Sequence, residues 1–516
     1  MRIVDYFDAT ASRLPKHEAF VDAEARLDYG TAQKFVHAVA HALARDPELP
    51  VGAHIGVYSP NNSVVSLLQL GINRADRTWV LVHTRNATET NAQVLAYADT
   101  KLLFFHSSFE PAIEIIKQSL PGAKFVCMDR DSPLGPKLDK WLEGCWKAYP
   151  IMREEALGKS FMAPTGGTTG PQKAVVHTHR STEISVNSVS NVLQIDSESR
   201  HLVVAPLTHA AGYFALAFTI NGGTNVILPG FDPTLVLQKI AAERITHTYL
   251  PPTAIYALLA HPMLRQTDLS SLRFIVIGGS PIAPSRFKEA VAAFGPILYE
   301  MYGQTESLAP VTVKMPQDCM RADGSFDEDV IRSAGKAAPF MRVEIMDADG
   351  KFLPDGEPGE IVVLSSMVMK EYYKMPKETE EAQRFGWHHT TDIGVRDGRG
   401  FITIVDRIKD LIISGGLNIY PSEIEAVIAE VDGVLEASVI GVPDEKWGES
   451  VKAVVQLKPG RTVKPEDIIE RCRARLGSLK VPRSVEFWDE LPRSPVGKVL
   501  KREIRKKFWT DQWRAV

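Results

Sequence analysis

Residues 162–179 read MAPTGGTTGPQKAVVHTH, and the understanding of the whole chain turns on this stretch. Short apolar runs flank a segment dense in glycine and threonine that carries one lysine, Lys173. In such a loop, closely spaced backbone N–H groups converge on an anion, threonine hydroxyls add donors, and the lysine adds a compact positive charge. The apolar run Ala174–Val176 predicts a strand after the lysine, so the loop relies on N–H groups, hydroxyls and Lys173 rather than on a helix dipole. Spacing excludes a Walker-type phosphate loop: five residues on from Gly166 stands Pro171, and Lys173 is not preceded by glycine. Judged alone, the segment reads first as an anion grip, with a plain turn between two strands as the alternative.

Outward from the loop, the chain alternates short apolar strands with amphipathic helical stretches from about residue 30 to 410. HIGVYS (54–59), TWVLV (78–82), KLLFF (101–105), KFVCM (124–128), NVILP (225–229) and FIVIGG (274–279) are buried strands by length and composition. Between them lie helical patterns such as VVSLLQLGINRA (64–75) and TLVLQKIAAERI (234–245). That alternation predicts an α/β fold: a large N-terminal domain with helix-covered, largely parallel sheets. After residue 410 the texture becomes a small α+β unit of two helical and two strand-like segments. The junction DRIKDLIISGGLNIYPSE (406–423) holds two adjacent glycines and a proline, as a hinge or exposed connection requires. The expected organisation is therefore an N-terminal domain over 1–406, a hinge over 407–410 and a mobile C-terminal domain over 411–516.

Composition narrows the function classes. At 516 residues the chain exceeds what one hydrophobic core supports. Lys+Arg 59 against Asp+Glu 63 leaves a net charge of -4, which gives no electrostatic case for a nucleic-acid or membrane-surface partner. Cys127, Cys145, Cys319 and Cys472 are scattered with no CxxC pair, which excludes a disulfide framework or a zinc ribbon. The longest apolar runs fall short of the roughly 20 residues a membrane span needs, and the N-terminus lacks a signal-peptide core. A cytoplasmic enzyme with reduced thiols is expected.

Further motifs follow in order, each with a bland reading beside it. In APLTHAAGYF (205–214), His209 sits among apolar residues, where a histidine is usually packed core. GGSPI (278–282) follows a strand, and its glycines let a flat ring approach the backbone or simply end the strand. YGQTE (302–306) places Thr305 beside Glu306, a residue that alone would be a solvated acid. In GWHHTTDIG (386–394), His388 and His389 face opposite ways on a strand, which argues against a metal pair there. PRSPVGKVLK (492–501) carries Lys498 just before a basic tail.

Taken in this order, the motifs resemble those of the adenylate-forming superfamily, which includes acyl-CoA synthetases, stand-alone adenylation domains and luciferases. The likeness spans nearly the whole chain. It implies that Thr165, Gly166, Gly167, Thr168, Thr169, Gly170 and Lys173 grip the phosphates of ATP. Gly279, Ser280 and Pro281 would meet adenine, and Tyr302, Gly303, Gln304 and Thr305 the α-phosphate region. Glu306 would hold Mg²⁺, and Asp392 with Arg407 would bind the ribose. His209, Tyr213, Phe214 and Gly278 would border the acyl group. Gly415 and Gly416 would line the CoA tunnel, Lys409 would be the hinge, and Thr305, Glu306 and Lys498 would serve adenylation. The chain departs from the family pattern at Gly166 (serine), Gln172 (proline), Ala174 (glycine) and Thr391 (glycine).

The chemistry implied is a two-step activation. A carboxylate is a poor acyl donor, and joining it to AMP creates a mixed anhydride with a stable leaving group. The thiol of coenzyme A then attacks that anhydride. No acid pairs with a substrate amino group near His209, which argues against amino acids, and the apolar and aromatic pocket segments favour a monocarboxylic fatty or aromatic acid. The expected partners are that acid, ATP with Mg²⁺, and CoA, with a homodimer left open. Two alternatives stand: delivery of the acyl group to a carrier protein or to oxygen, and a nucleotide-binding protein without catalysis.

Overall fold

The computed structural model describes the chain outside residues 150–156, 165–172, 209, 415–416, 445, 478–479, 494–498 and 510–516. The described residues form two compact units: one holds those up to Val343 together with Val363–His388, the other Glu344–Val362 and those from His389 onward.

Two sheets organise the first unit. Among the described residues, seven strands run in the order Glu371–Tyr372, Ala174–Thr178, Lys159–Pro164, Thr78–Val80, His54–Tyr58, Leu102–Phe105, Lys124–Cys127. The five from Lys159–Pro164 onward pair in parallel, while Ala174–Thr178 joins antiparallel on both sides. The strand predicted after Lys173 is therefore real, and it reverses direction from its neighbours. Thr178 ends it and starts the helix His179–Val192 through a capping box in which its side chain accepts from Ser181 N.

The second sheet has nine strands among the described residues, with a parallel centre of Leu298–Tyr302, Phe274–Ile277, His247–Leu250, Arg200–Val203, Thr224–Ile227 and Glu18–Val21. Antiparallel strands close both edges. Phe274–Ile277 is buried at every position, as expected of a central parallel strand covered on both faces. Beside it, the imidazole of His247 stacks on Phe274 at 4.6 Å, and His201 stacks on Phe218 at 4.4 Å. Burial drives both rings toward neutrality, lowering their pKa to about 3 and about 4 respectively. On the neighbouring strand the Glu300 carboxylate is paired at 2.6 Å with Lys314, whose ammonium also donates to Ile331 O and Ser333 O. This buried network ties Leu298–Tyr302 to the antiparallel strand Thr312–Lys314 just before the YGQTE turn.

In the second unit, Val434–Asp444 pairs antiparallel with Gly448–Leu457, and Ser484–Phe487 joins the latter in parallel. Ile412–Ser414 and Leu417–Ile419 pair with Ser414 opposite Leu417. The helices Pro421–Ala429 and Pro465–Leu476, both with proline in the first turn, cover a core of Ile412, Ile424, Ile428, Val439, Val455 and Ile468. Another strand pair in this unit, His388–Arg396 with Ile402–Arg407, sets Asp392 opposite Arg407. All four cysteines are buried and unpaired. Among the described residues, no helix is long and apolar enough to cross a membrane.

Candidate active site

YGQTE leaves the carboxyl end of a parallel strand, the place where open α/β sheets gather ligands. Its backbone is fastened at each step. Tyr302 O accepts from Val311 N at 2.7 Å, Gln304 N donates to Ser307 O at 3.1 Å, and Glu306 O accepts from Met369 N at 2.7 Å. Glycine is required at 303 by close approach, because a Cβ there would stand 2.9 Å from Ala309 Cα.

Thr305 has a further anchor that no motif indicated. Its carbonyl accepts from His177 Nε2 at 2.7 Å, and the other ring nitrogen of His177 lies 3.1 Å from Ser181 Oγ. Burial lowers the pKa of His177 to about 4, so the ring is neutral. A carbonyl only accepts, which places the proton on Nε2. The same ring stacks on Phe161 at 4.8 Å, and Phe161 meets Tyr213 at 4.9 Å. One line of aromatic contact thus runs from the expected acyl segment to the expected phosphate turn.

Glu306 and Lys173 meet through Tyr372. The Tyr372 hydroxyl donates to Glu306 Oε1 at 3.0 Å, and Lys173 Nζ lies 4.3 Å from the centre of the same ring. Burial, and then the Glu306 carboxylate, push the Tyr372 pKa up, so the hydroxyl keeps its proton and remains a donor. The lysine that follows the glycine-rich segment and the carboxylate expected to hold metal therefore share one aromatic residue. Mg²⁺ takes hard oxygen ligands and retains water, so a single carboxylate beside phosphates meets its needs, and Glu306 is of that type.

The expected acyl border is aromatic. Phe214 stacks on Tyr249 at 4.9 Å, and burial raises the Tyr249 pKa to about 12. A Cβ on Gly278 would lie 3.0 Å from Tyr249 Cε2 and 3.3 Å from Met301 O, so this glycine makes room for the tyrosine. Gly279 follows in a left-handed conformation, φ +87°, and Gly279, Ser280 and Pro281 are exposed.

The second unit brings Asp392 and Arg407 together. Asp392 is buried, and its Oδ1 accepts from Arg407 Nε at 3.1 Å. Thr391, which stands where the resembling motif has glycine, adopts φ +62°. A β-branched residue in that region carries strain of roughly 1–3 kcal/mol. Its neighbours hold it there. Thr391 N donates to Glu360 Oε1 at 2.9 Å, His389 Nδ1 donates to Glu360 Oε2 at 2.7 Å, and Thr390 Oγ1 donates to Ile361 O at 2.6 Å. Of the two adjacent histidines, His389 is thus committed to a carboxylate. Lys409 lies in the short turn Ile408–Asp410, where its carbonyl accepts from Arg505 Nη1 at 3.0 Å and Asp410 pairs with the same guanidinium at 3.1 Å.

Thr165, Gly166, Gly167, Thr168, Thr169, Gly170, His209, Gly415, Gly416 and Lys498 lie outside the described residues. Sequence reading assigned no role to His177, Tyr249, Glu360, Tyr372 or Arg505. His177 lies within the quoted opening stretch, yet its partner is 128 residues away and no spacing rule connects them.

The profile of the AMP-binding enzyme family matches residues 7–373, and that of the AMP-binding enzyme C-terminal domain matches 423–498. The chain is 39% identical to a medium/long-chain-fatty-acid–CoA ligase, FadD8, of Mycobacterium tuberculosis (strain ATCC 25618 / H37Rv), covering 90% of this chain and 83% of that protein. It is 40% identical to a feruloyl-CoA synthase of an Amycolatopsis species, covering 67% of this chain and 69% of that protein. Among solved structures, the amide bond synthetase McbA from Marinactinospora thermotolerans superposes with a TM-score of 0.89 at 30% identity, covering 98% of this chain and 100% of that one.

Proposed function

The chain belongs to the AMP-binding enzyme family, and we propose from that membership that it is an ATP-dependent acyl-CoA ligase acting on a monocarboxylic fatty or aromatic acid. The observation that carries this reading is the contact chain Lys173–Tyr372–Glu306, which places a cation and a carboxylate around one tyrosine beside the YGQTE turn. Two of the relatives named above are a fatty-acid–CoA ligase and a feruloyl-CoA synthase, and the Phe161, Tyr213, Phe214 and Tyr249 aromatic groups suit a fatty or an aromatic acid.

In the first step a carboxylate oxygen of the acid attacks the α-phosphorus of ATP. The Pα–O bond to the β-phosphate breaks, and pyrophosphate leaves. Two anions must approach each other, so preorganised positive charge and N–H donors supply much of the catalysis. Lys173 and the loop Thr165–Gly170 grip the phosphates, Thr305 orients the α-phosphate, and Lys498 contacts both reacting anions. Glu306 would hold Mg²⁺, which would offset phosphate charge when bound. Gly279, Ser280 and Pro281 receive adenine, and Asp392 with Arg407 receives the ribose.

In the second step the thiol sulfur of CoA attacks the acyl carbonyl, and AMP departs as the oxygen–carbonyl bond breaks. The hinge at 407–410, centred on Lys409, lets the domain 411–516 present Lys498 for adenylation and Gly415–Gly416 for thioester formation. The cytoplasm is the compartment this chemistry implies, and a homodimer is the assembly to look for by sedimentation.

The test is AMP release over a panel of fatty, aromatic and dicarboxylic acids, with and without CoA. CoA-dependent thioester from fatty or aromatic acids is expected. AMP release with no thioester would overturn CoA as the acceptor, and no AMP with any acid would overturn the enzyme reading.

A further inference from the structure

Asp392 is the second unit's contribution to nucleotide binding in the proposed function, and its direction depends on the residue before it. Successive side chains of a strand alternate between faces, so a residue turned into the left-handed region resets where the next side chain points. Thr391, at φ +62°, is such a residue, and it sits inside the strand His388–Arg396. A threonine has no preference for this conformation, so neighbouring groups must supply it.

The groups that do so converge from one neighbouring segment. Glu360 is 6% exposed, and its two carboxylate oxygens are used separately: Oε1 accepts from Thr391 N and Oε2 from His389 Nδ1. The next residue, Ile361, accepts from Thr390 Oγ1 through its carbonyl, and that same hydroxyl oxygen accepts from Asp392 N at 3.2 Å. The four residues 389–392 are therefore fastened, one after another, to Glu360, to Ile361, or to Thr390. The last of them presents its carboxylate to Arg407. A buried carboxylate with both oxygens engaged by one short peptide segment is an expensive way to hold a strand, since an ordinary ladder needs none.

We propose that Glu360 is a positioning residue for nucleotide selection: it holds Thr391 in its left-handed conformation so that Asp392 is aimed at the ribose hydroxyls. This rests on the proposed function, which gives Asp392 the ribose. The consequence is specific. Loss of the Glu360 contact frees Thr391 to relax and misdirects Asp392, so the chain loses discrimination between ATP and 2′-deoxy-ATP. Glycine at 391 adopts positive φ without help. It should therefore make Glu360 dispensable.

The experiment measures kcat/KM for ATP and for 2′-deoxy-ATP in the wild type, Glu360→Gln, Thr391→Gly and the double variant, with melting temperatures alongside. In the wild type ATP should be preferred. Glu360→Gln offers one carbonyl oxygen where Thr391 N and His389 Nδ1 need two, so it should erode that preference by about tenfold. It should leave KM for the acid and for CoA unchanged, and the double variant should regain the preference. Should Glu360→Gln fail to fold, Glu360→Asp keeps the charge but withdraws the oxygen from Thr391 N, and the same loss and rescue are expected. Preference retained in both Glu360 variants, or lost without rescue by Thr391→Gly, overturns the positioning role. A wild type that does not distinguish the two nucleotides overturns the ribose assignment of Asp392 itself, a different failure from the first.

Discussion

Glu306, to which the proposed reaction assigns Mg²⁺, and Asp392, to which it assigns the ribose of ATP, are both single carboxylates, and they are held in opposite ways. Glu306 stands just past a strand of a large parallel sheet, in a turn whose backbone makes ordinary hydrogen bonds, and its carboxylate accepts from the Tyr372 hydroxyl. Asp392 stands within a strand, behind a threonine in a costly conformation, with a guanidinium on its carboxylate. In the first region glycines make room for close approach, at 278 and 303. In the second, a residue other than glycine occupies a position that suits glycine. The lesson is that aim can come from packing or from strain, and the two respond differently to substitution.

The largest test of the contrast is at Glu306 itself. Glu306→Gln keeps the shape and removes the charge, and acyl-adenylate formation, read as acid-dependent pyrophosphate release, should fall by about 10²–10³-fold. A fall of less than tenfold would mean that Glu306 does not carry the metal role assigned to it. Tyr372→Phe removes only the donor to Glu306, and its cost in the same assay should be about tenfold, expressed in kcat or KM for ATP rather than in KM for the acid. If Tyr372→Phe instead equals Glu306→Gln, the tyrosine is doing more than orienting the carboxylate.

Acid should loosen the first unit. His177, His179 and His201 have pKa values lowered to about 4 and His247 to about 3, from an ordinary 6.5, chiefly by burial. Below pH 6.5 the unfolded chain takes up these protons and the folded chain does not, so the stability they permit is complete above 6.5 and falls toward about 4. Urea melts at about pH 7, 5.5 and 4.5 should show a steadily declining midpoint. A flat profile would show that these rings are not buried and neutral as described.

Smaller effects complete the series. Gly303→Ala drives a methyl into Ala309 and should cost about 1–3 kcal/mol in the melt. Thr391→Gly should be nearly neutral, within about 1 kcal/mol, because relief of strain offsets the greater freedom of unfolded glycine. If Thr391→Gly is as damaging as Gly303→Ala, the side chain of Thr391 packs for stability and the contrast between the two regions disappears.

Much of the first unit was legible because parallel strands announce themselves. Phe274–Ile277 and Leu102–Phe105 are continuous apolar runs, and both are buried at every position. The reversal of Ala174–Thr178 was not legible, because a strand's direction depends on its neighbours rather than on its own composition. YGQTE and the Asp392 segment were found as words, since their spacing is local. His177, Tyr372 and Glu360 were not, because each acts on a residue 128, 66 or 31 positions away. The pattern near Thr391 showed that glycine was missing without showing the cost. Only the backbone angle and the carboxylate beneath it reveal how a threonine is kept there.

The burial of all four cysteines has a practical consequence for watching this molecule at work. A thiol-reactive dye would find no native target in the folded chain, so a cysteine placed on the surface becomes the sole site of labelling. Glu24 in the first unit and Arg461 in the second are exposed and carry no role in the proposed chemistry. With Glu24→Cys and Arg461→Cys bearing a donor and an acceptor fluorophore, energy transfer would follow the two units in time as acid, ATP and CoA are added in turn. The native sequence needs no thiols stripped from it beforehand.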